Sequence, residues 1–303
     1  MITKTLIAVV GPTAIGKTKL AITLAQHFNT HIISADSRQF FKEMAIGTAV
    51  PDTNELAAAP HHFIQHKSIL ESYSVGDYEK EALYKLEQLF KENDIVILVG
   101  GSGLYVNAVT KGLDSFPKID TSVRADLNTL FEEKGIIALQ TKLQALDPEY
   151  YTKVDKDNPH RLIRALEVCI GSGKPYSTFL NQEKPKRSFN TITVGIKADR
   201  EIIYERINKR VDIMVQNGLL DEAKALTKHQ NLNALQTVGY KELFQFFNHN
   251  WTLDFAISEI KKNTRRFAKR QLTWFNKNKE TLWVNFNDNP KNIISKIEDK
   301  LQA

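Results

Sequence analysis

The residues best suited to chemistry lie in a glycine-rich octapeptide, GPTAIGKT, which follows directly after the apolar run TLIAVV. The octapeptide matches the pattern G-x-x-x-x-G-K-[S/T], and a helical pattern follows it, as a phosphate-binding loop requires. Glycines in such a loop let backbone N–H groups face an anion, the lysine adds a positive charge, and the hydroxyl can coordinate Mg²⁺. The predicted anion-binding residues are Gly11, Pro12, Thr13, Ala14, Ile15, Gly16, Lys17 and Thr18. Thr18 is also the predicted Mg²⁺ ligand, but the loop alone leaves the reaction open, because it can hold any polyphosphate-like anion.

Two further polar turns follow apolar, β-rich runs. Asp36 lies in SADSRQFF, at the end of HIISA, and Ser102 lies in the glycine-rich VGGSGLY, at the end of DIVILV. The carboxyl ends of parallel strands meet at one edge of a sheet, where doubly wound proteins bind their ligands. We therefore predict that both turns converge with the phosphate loop on one crevice. For Asp36 alone, the alternative is a helix cap made through a turn hydrogen bond.

The order of the elements predicts the fold class. Short β-rich runs alternate with helical patterns such as KTKLAITLAQHF, which implies a parallel sheet with right-handed crossovers. The run TITVGIKA, residues 191–198, is predicted to add a further strand after a long helical interval. We predict an α/β fold: a parallel sheet flanked by helices, like that of the P-loop NTPases, with an inserted helical subdomain. The predicted core covers residues 1–113 and 189–303, with basic helices at its C-terminal end, and the insert covers residues 114–188.

One helix of the insert is well delimited in the sequence. Asn158 is a suitable N-cap, Pro159 fits the first helical position, and Gly171 or Gly173 can end the helix. After the insert, the pattern DREIIYERINKRVDIMVQNG predicts a helix that stops at Gly218. The insert and the segment after it are therefore predicted to be mainly helical.

The segment KKNTRRFAKRQLTWFNKNKE, residues 261–280, concentrates the positive charge, with eight Lys and Arg against one Glu. Aromatic residues lie between the cations, which suits a polyanion with exposed bases, because cations meet phosphates and aromatic rings stack on bases. The alternative is a solvated helix face above a buried stripe of Ile257, Ile260, Phe267 and Trp274, and one amphipathic helix can combine both. We predict that this segment contacts RNA.

Composition excludes several classes of protein. The chain of 303 residues has 42% hydrophobic and 25% charged residues and a net charge of +6, and it contains no apolar run long enough to span a membrane. The N-terminal residues lack the pattern of a signal peptide, so a cytoplasmic location is expected. The single cysteine, Cys169, cannot form an internal disulfide and lies among apolar residues, which predicts a packed thiol. His61, His62 and His66 match no standard metal-ligand spacing, so we predict no metal site there.

Six motifs occur together in one order: GPTAIGKT, ISADSRQFF with IGTAVP, VGGSGLYVNAV, DNPHRLIRALEV, QTVGYKEL and TRRFAKRQLTWF. This set runs from Gly11 to Phe275 and resembles the tRNA dimethylallyltransferases, also called isopentenyl-tRNA transferases. The resemblance implies that the phosphate loop grips the diphosphate of dimethylallyl diphosphate rather than ATP. It also implies that the prenyl group passes to the exocyclic N6 of the adenosine at position 37 of tRNA, beside the anticodon.

The resemblance gives roles to the crevice residues. An adenine amine is a weak nucleophile, so a base must remove its proton as the new bond forms, and Asp36 is the expected base. Lys17, the loop amides and Mg²⁺ bound through Thr18 would stabilise the departing diphosphate. Arg210 would reach the diphosphate, Arg124 would contact the tRNA, and Ser102 would position the substrate. For Arg210 and Arg124 the alternative is a surface cation.

The expected partners are the anticodon stem-loop of tRNA and dimethylallyl diphosphate, for a monomer without a membrane partner. The predicted tRNA contacts, taken from the family's motifs and from the basic segment, are Asp36, Ser37, Arg38, Gln39, Ser102, Arg124, His160, Arg161, Leu162, Ile163, Arg164, Gly239, Tyr240, Lys241, Arg266 and Arg270.

The sequence departs from the usual family pattern at three places. Ser102 stands where threonine is usual, which keeps the hydroxyl, and His160 stands where glutamine is frequent. Phe40 and Phe41 replace a Val-Tyr pair, which removes a hydroxyl and any hydrogen bond that it makes.

Three other functions are compatible with some of these features. A small-molecule kinase would have nearly the same fold and phosphate loop. A prenyltransferase that acts on free adenine nucleotides would share the N-terminal motifs but would not need the basic segment or the insert. A pure RNA-binding protein would leave Lys17, Thr18 and Asp36 without a use.

Overall fold

A computed structural model of this protein describes residues 4–302. Its strands are β1 (Thr5–Val10), β2 (Ile32–Ser34), β3 (His61–His62), β4 (Ile95–Gly100), β5 (Asn190–Lys197) and β6 (Leu282–Asn285). The strands pair in parallel and form one sheet in the order β3-β2-β4-β1-β5-β6. The predicted α/β class with a parallel sheet is therefore confirmed, and TITVGIKA supplies β5.

Helices flank the sheet within the unit that contains it, and further helices occur in the rest of the described chain. They are α1 (Lys17–His27), α2 (Thr53–Ala58), α3 (Val75–Glu92), α4 (Gly103–Lys111), α5 (Thr121–Leu146), α6 (Pro148–Lys153), α7 (Pro159–Ser172), α8 (Arg200–Gln216), α9 (Leu219–Ala225), α10 (Tyr240–Phe247), α11 (Leu253–Phe275) and α12 (Pro290–Gln302). Short 3₁₀ helices cover Tyr176–Phe179, Thr227–His229 and Asn233–Leu235. Within residues 4–302, no helix combines the length and the apolar character needed to cross a membrane.

Strand β1 lies in the middle of the sheet, between β4 and β5. All of its residues are buried, and a strand buried on both faces needs a continuous apolar run, which TLIAVV supplies. Ile7 and Val9 pack into the core cluster that includes α1, whereas Leu6 and Ala8 pack into the cluster that includes α3. The phosphate loop therefore starts from a strand that is held from both sides.

The chain divides into two compact units. The larger comprises Met1–Lys111 and Arg187–Ala303 and contains the sheet, and the smaller comprises Gly112–Lys186 and contains α5, α6 and α7. The smaller unit thus begins at residue 112 and ends at residue 186, whereas the sequence placed the insert at residues 114–188.

The smaller unit is organised by α7. The Asn158 side chain accepts a hydrogen bond from the Arg161 N–H (3.2 Å) at the start of this helix. Gly173, with φ of 68°, caps its C-terminal end, as one of the two predicted stop positions. Cys169 on the buried face is a free thiol whose pKa is raised by burial, so the predicted packed thiol is confirmed.

The C-terminal part of the chain agrees with the sequence in its main helices. Helix α8 ends at Gln216, just before Gly218, as predicted. The predicted basic segment forms the second half of α11, but α11 ends at Phe275, so the last residues of that segment are not helical. Strand β6 and helix α12 were not predicted, and β6 is only 4 residues long, too short for a clear alternating pattern.

Candidate active site

The phosphate loop connects β1 to α1. Gly16 has φ of 106°, a left-handed conformation that favours glycine, and it is the N-cap residue of α1. The N–H groups of the first helical turn have no partner within the helix and can therefore bind an anion. The Lys17 ammonium donates a hydrogen bond to the Pro12 carbonyl oxygen (2.8 Å), which holds the charge over the loop.

Lys17 is influenced by one anion, Asp36, and by a second cation, Arg210. Burial lowers the pKa of Lys17 to about 8, the Asp36 carboxylate raises it in part, and the Arg210 guanidinium lowers it. Burial also lowers the pKa of Arg210, and Asp36 again raises it in part. Arg210 donates from Nη1 to the Thr13 hydroxyl at 3.4 Å, so the predicted diphosphate-binding arginine does reach the phosphate loop. The positive charges of Lys17 and Arg210 would therefore stabilise a bound anion beside them.

Asp36 lies in a turn directly after β2. Its Oδ1 accepts a hydrogen bond from the Arg38 N–H (3.2 Å), and its carbonyl oxygen accepts one from the Gln39 N–H (3.1 Å). No helix starts at this turn of the described chain, because the next helix, α2, begins at Thr53. The side chain therefore caps a turn and not a helix, and it lines the site at the same time.

Ser102 lies between β4 and α4, beside the Asp36 turn. Its hydroxyl is 3.2 Å from the Ser37 hydroxyl and accepts a hydrogen bond from the Ser37 N–H at 3.3 Å. Ser102 stands where the family usually has threonine. Its hydroxyl, which both residue types carry, forms a hydrogen-bonded pair with Ser37. The three strand-end turns picked out in the sequence meet at one edge of the sheet, as predicted.

Two cavities meet at this edge. The one that we call the phosphate-loop cavity has a volume of about 890 Å³ and is lined by Gly16, Lys17 and Thr18, among others. The one that we call the helix cavity has a volume of about 740 Å³, and Ser102 and side chains of α11 line it. Side chains that line both cavities include Thr13, Asp36, Arg210, Phe267 and Gln271. The phosphate loop, the Asp36 turn and α11 therefore form the junction between the cavities.

Gln271 connects α11 with the phosphate loop and was missed in the sequence. Its Oε1 accepts a hydrogen bond from the Thr13 N–H, and its Nε2 donates to the Gly101 carbonyl oxygen, both at 2.9 Å. The side chain is only 6% exposed. The helical pattern gave no signal for it, because α11 contains several uncharged polar residues and the pattern does not distinguish among them.

Arg38 and Gln39, two predicted tRNA contacts, donate hydrogen bonds to backbone segments beside the site. Arg38 donates from Nη1 to the carbonyl oxygens of residues 233 and 234, at 3.0 Å and 2.9 Å. Gln39 donates from Nε2 to the carbonyl oxygens of residues 48 and 49, at 3.2 Å and 2.9 Å. Arg38 lines the helix cavity and Gln39 the phosphate-loop cavity, and contact of either with RNA stays a prediction.

Both phenylalanines that replace the family's Val-Tyr pair are buried. The Phe40 ring stacks on the Tyr78 ring at a centroid distance of 5.1 Å. Phe41 packs in the core cluster that includes Tyr240. These two positions therefore support the wall of the site by packing.

The structure corrects the prediction that Tyr240 contacts tRNA. Tyr240 is fully buried, and its hydroxyl donates a hydrogen bond of 2.6 Å to Glu222 Oε1. The neighbouring Gly239 and Lys241 do line the helix cavity, and Lys241 is exposed. Tyr240 packs in a core cluster, and Gly47 lies so close to it that a Cβ at Gly47 would collide with the Tyr240 ring.

Glu222, a residue that the sequence did not single out, fixes a loop of the site. Its carboxylate accepts hydrogen bonds from the N–H groups of Ala45, Ile46 and Gly47 at 2.9, 2.8 and 2.9 Å. With the Tyr240 hydroxyl, these bonds form what we call the Glu222 clamp. The clamp holds the beginning of a loop whose residues 48 and 49 line both cavities.

The smaller unit pairs two of its predicted tRNA contacts with one carboxylate. Glu167 accepts hydrogen bonds from Arg124 Nε (3.0 Å) and Nη2 (2.8 Å) and from Arg164 Nη1 (2.8 Å). The bond from Arg124 is the main cause that lowers the pKa of Glu167. The side chains of Arg124 and Arg164 nevertheless stay 47% and 41% exposed, so they can still meet an anion.

Two further predicted tRNA contacts are corrected in α7. Leu162 and Ile163 are buried in the core of the smaller unit, so their side chains pack there and do not face RNA. His160 and Arg161 in the preceding turn are exposed. A continuous motif on a helix must place some of its residues inward, since the helix packs through one face.

The predicted stripe of α11 is only partly buried. Ile260 belongs to the core, but Phe267 and Trp274 are 38% and 39% exposed and line the helix cavity. Arg266 and Arg270 are exposed, and the Arg270 guanidinium lies 5.7 Å from the centre of the Phe267 ring. Helix α11 therefore presents cations and aromatic rings together, a combination suited to RNA phosphates and bases.

A Mg²⁺ ion at this site would depend on Thr18 and on oxygens of the bound ligand. Among residues 4–302, no group of three or more His, Cys, Asp or Glu side chains is arranged to hold a metal ion. Mg²⁺ is commonly held by one or two protein oxygens together with substrate phosphates and water, so the Thr18 hydroxyl beside an anion-binding loop fits this ion. His61 and His62 have other partners: His61 donates from Nδ1 to the Ala59 carbonyl oxygen (2.8 Å), and His62 pairs with His31 (3.0 Å).

Comparisons with known proteins agree with these motifs and this fold. A family described as IPP transferase matches residues 39–278. The tRNA dimethylallyltransferase of Christiangramia forsetii is 64% identical over 298 residues, which cover 98% of this chain and 99% of that protein. The crystal structure of the tRNA isopentenylpyrophosphate transferase of Bacillus halodurans superimposes with a TM-score of 0.74 at 36% identity, over 99% of this chain and 97% of that one. A structure of a eukaryotic dimethylallyltransferase acting on tRNA gives a TM-score of 0.79 at 27% identity, over 94% of this chain and 75% of that one. With its phosphate loop, its strand-end turns and these similarities over nearly its full length, the chain belongs to the IPP transferase family.

Proposed function

We propose that this protein transfers a dimethylallyl group from dimethylallyl diphosphate to N6 of the adenosine at position 37 of tRNA, beside the anticodon. The observation that carries this proposal is the junction of the two cavities at Asp36, Thr13 and Arg210. A diphosphate in the phosphate-loop cavity and a base in the helix cavity would meet at a carboxylate. The similarity to a dimethylallyltransferase acting on tRNA supports tRNA as the acceptor.

The donor diphosphate is held by the phosphate loop. The N–H groups at the start of α1, the Lys17 ammonium and the Arg210 guanidinium supply positive charge around it. As the bond between the allylic carbon and the diphosphate oxygen breaks, its electron pair leaves with the diphosphate, and these fixed donors stabilise the growing negative charge. The anion also offsets the mutual repulsion of Lys17 and Arg210.

The acceptor nitrogen needs both positioning and a base. The lone pair of N6 forms the new bond to carbon, and the nitrogen must lose a proton, which the Asp36 carboxylate accepts. The hydrogen-bonded pair of Ser37 and Ser102 lies beside Asp36 and positions the adenine. Correct placement of both reactants also lowers the barrier, because it replaces a rare encounter in solution with a reaction between bound groups.

The Thr18 hydroxyl would hold Mg²⁺ together with oxygens of the diphosphate. When bound, this ion supplies further positive charge next to the leaving group. We therefore expect Thr18→Ala to raise the Mg²⁺ concentration that half-maximal turnover requires, whereas Thr18→Ser keeps the hydroxyl and the wild-type requirement.

The tRNA must bring its base out of a stacked loop, at a cost of about a few kcal/mol. Contacts elsewhere on the RNA offset this cost. Arg266, Arg270 and Lys241 in the larger unit are exposed cations for its phosphates, and Arg161 is one in the smaller unit. A monomer in the cytoplasm, where tRNA is modified, is part of the proposal.

One incubation tests the proposal. Mg²⁺, labelled dimethylallyl diphosphate and an anticodon stem-loop with adenosine at position 37 are combined, beside parallel mixtures with free AMP as acceptor or with ATP in place of the prenyl donor. We expect label in the stem-loop alone. A stem-loop with inosine at position 37, which has no exocyclic amine, is the matched control and should stay unlabelled.

The other outcomes identify the rival functions. Label in AMP would point to a nucleotide prenyltransferase, and ATP turnover without prenylation would point to a kinase. The family to which the chain belongs does not favour either alternative.

A further inference from the structure

Neighbouring residues of helix α11 face solvent, the helix cavity or the protein interior. Arg266 and Arg270 are exposed, and Phe267 and Trp274 line the helix cavity. Gln271, the residue after Arg270, points inward and is almost completely buried. The helix that offers cations to RNA therefore also carries a side chain that reaches the phosphate loop.

Both polar atoms of the Gln271 carboxamide make hydrogen bonds. It accepts a hydrogen bond from the Thr13 N–H and donates one to the Gly101 carbonyl oxygen, both at 2.9 Å. Only a side chain with both an acceptor and a donor can make these two hydrogen bonds, and the carboxamide has both. Leaving a buried backbone group without a partner is costly, so the two bonds fix the helix against the loop and the β4 turn.

The place where the carboxamide lies is tightly packed. A Cβ at Gly101 would collide with the Gln271 amide nitrogen and would lie 3.5 Å from the Lys17 ammonium. Glycine at this position therefore lets Gln271 and Lys17 approach the same turn. Because a hydrogen bond weakens steeply with distance and misalignment, a small shift of α11 would weaken the bond that holds the Thr13 N–H in place.

We infer that Gln271 is a positioning residue that couples tRNA binding on α11 to diphosphate binding at the phosphate loop. RNA phosphates that fix α11 through Arg266 and Arg270 hold the carboxamide against Thr13, and thereby hold the loop in the conformation that receives the anion. The link also acts in reverse, because coupling between two binding sites is reciprocal. This inference rests on the proposed function, since it takes tRNA and a diphosphate as the two ligands.

A binding cycle with an anticodon stem-loop and inorganic diphosphate, in the presence of Mg²⁺, tests the coupling. The Kd of the stem-loop is measured without diphosphate and with saturating diphosphate. For the wild-type protein we expect diphosphate to tighten stem-loop binding by about fivefold or more, as in typical coupled sites. Gln271→Met keeps the size of the side chain and removes both hydrogen bonds, so the ratio of the two Kd values should fall to about one.

Two other variants make the test specific. Thr273→Ala is the matched control, because Thr273 is exposed on the same helix and its hydroxyl bonds to the Lys269 carbonyl oxygen (3.0 Å) within α11. It should keep the wild-type ratio. Gln271→Glu keeps an acceptor for Thr13, cannot donate to Gly101 when ionised, and should lower the ratio below the wild-type value. Thermal unfolding establishes that each variant is folded, and Gln271→Glu carries the test if Gln271→Met is not.

The outcomes separate this inference from the proposed function. A wild-type ratio near one overturns the coupling, and so does a wild-type ratio in a folded Gln271→Met or Gln271→Glu variant. Neither result affects the label-transfer experiment. Failure of the wild-type protein to label the stem-loop would instead contradict the proposed function.

Discussion

The Tyr240 hydroxyl donates a hydrogen bond of 2.6 Å to Glu222, whose carboxylate also accepts three consecutive backbone N–H groups. The two residues belong to helices α9 and α10, and the N–H groups belong to the loop after the Asp36 turn. Two motifs that the sequence shows far apart, IGTAVP and QTVGYKEL, are therefore parts of one structural unit. Burial and the neighbouring Glu222 raise the pKa of Tyr240, so the hydroxyl stays protonated and keeps donating.

Tyr240→Phe should weaken the Glu222 clamp while the aromatic ring stays packed in the core. A hydrogen bond to a charged group contributes about 1.5–3 kcal/mol, and we expect the free energy of unfolding to fall by about this amount. Urea titration measures the change. Lys241→Ala, at an exposed neighbouring position, should change the free energy of unfolding by less than about 0.5 kcal/mol. Equal stability of the two variants would contradict a stabilising role for the clamp.

Asp36→Asn should separate binding from chemistry. Asparagine keeps an oxygen that can accept the Arg38 N–H hydrogen bond, so the turn is preserved, but it cannot take a proton from N6. We expect kcat to fall by about 10²–10⁴-fold while the Kd of the stem-loop changes little. Single-turnover kinetics and a binding titration measure the two quantities. Weakened binding with intact turnover would exclude Asp36 as the base.

Arg266→Ala combined with Arg270→Ala should make tRNA binding less sensitive to salt. Each phosphate contact contributes about 0.7–0.9 to the slope of log K against log salt concentration, so the slope should flatten by about one to two units. The Kd of inorganic diphosphate should stay as in the wild-type protein. Lys296→Ala with Lys300→Ala removes the same charge from exposed positions on α12 and should leave the slope unchanged. Equal slopes for both double variants would exclude α11 as the phosphate-binding surface.

His62 gives the protein a pH-dependent stability. Burial, and after it the nearby Lys85, lowers the pKa of His62 from 6.5 to about 4. Between these values the unfolded chain binds a proton that the folded protein does not, so the free energy of unfolding falls as the pH decreases through this range. We expect His62→Gln to show a shallower fall in urea titrations between pH 6.5 and pH 4. His249→Asn, at an exposed position, should show the same decrease in the free energy of unfolding as the wild-type protein. The same decrease in His62→Gln would contradict a role for His62.

Local features of the site could be predicted from the sequence because they depend on neighbouring residues. The pattern around Gly16 requires a left-handed residue between a strand and a helix, and the structure has it at φ 106°. Asp36 and Ser102 could be placed at one sheet edge because each follows an apolar run, and parallel strands end on the same side.

Contacts between distant residues could not be predicted in this way. Gln271 and Thr13 are 258 positions apart, and nothing in a helical pattern indicates which polar residue will meet a loop. The periodicity of α11 placed Phe267 and Trp274 on an apolar stripe, but it does not distinguish a core from a cavity wall. The family motif QTVGYKEL assigns Tyr240 to RNA, but a motif does not show that its tyrosine packs into a core cluster, against Gly47 from another motif.

The hydrogen bond from Lys17 to the Pro12 carbonyl oxygen has a consequence for how tightly the diphosphate is bound. A lysine that must order its side chain when it grips an anion loses conformational entropy at that moment, typically about 0.5–1.5 kcal/mol. Here the side chain is ordered when the protein folds, so the loss does not fall on the binding step. An ammonium group has three N–H donors, and the bond to Pro12 leaves two for the diphosphate. The phosphate loop is thus preorganised, and its charge is in place before the ligand arrives.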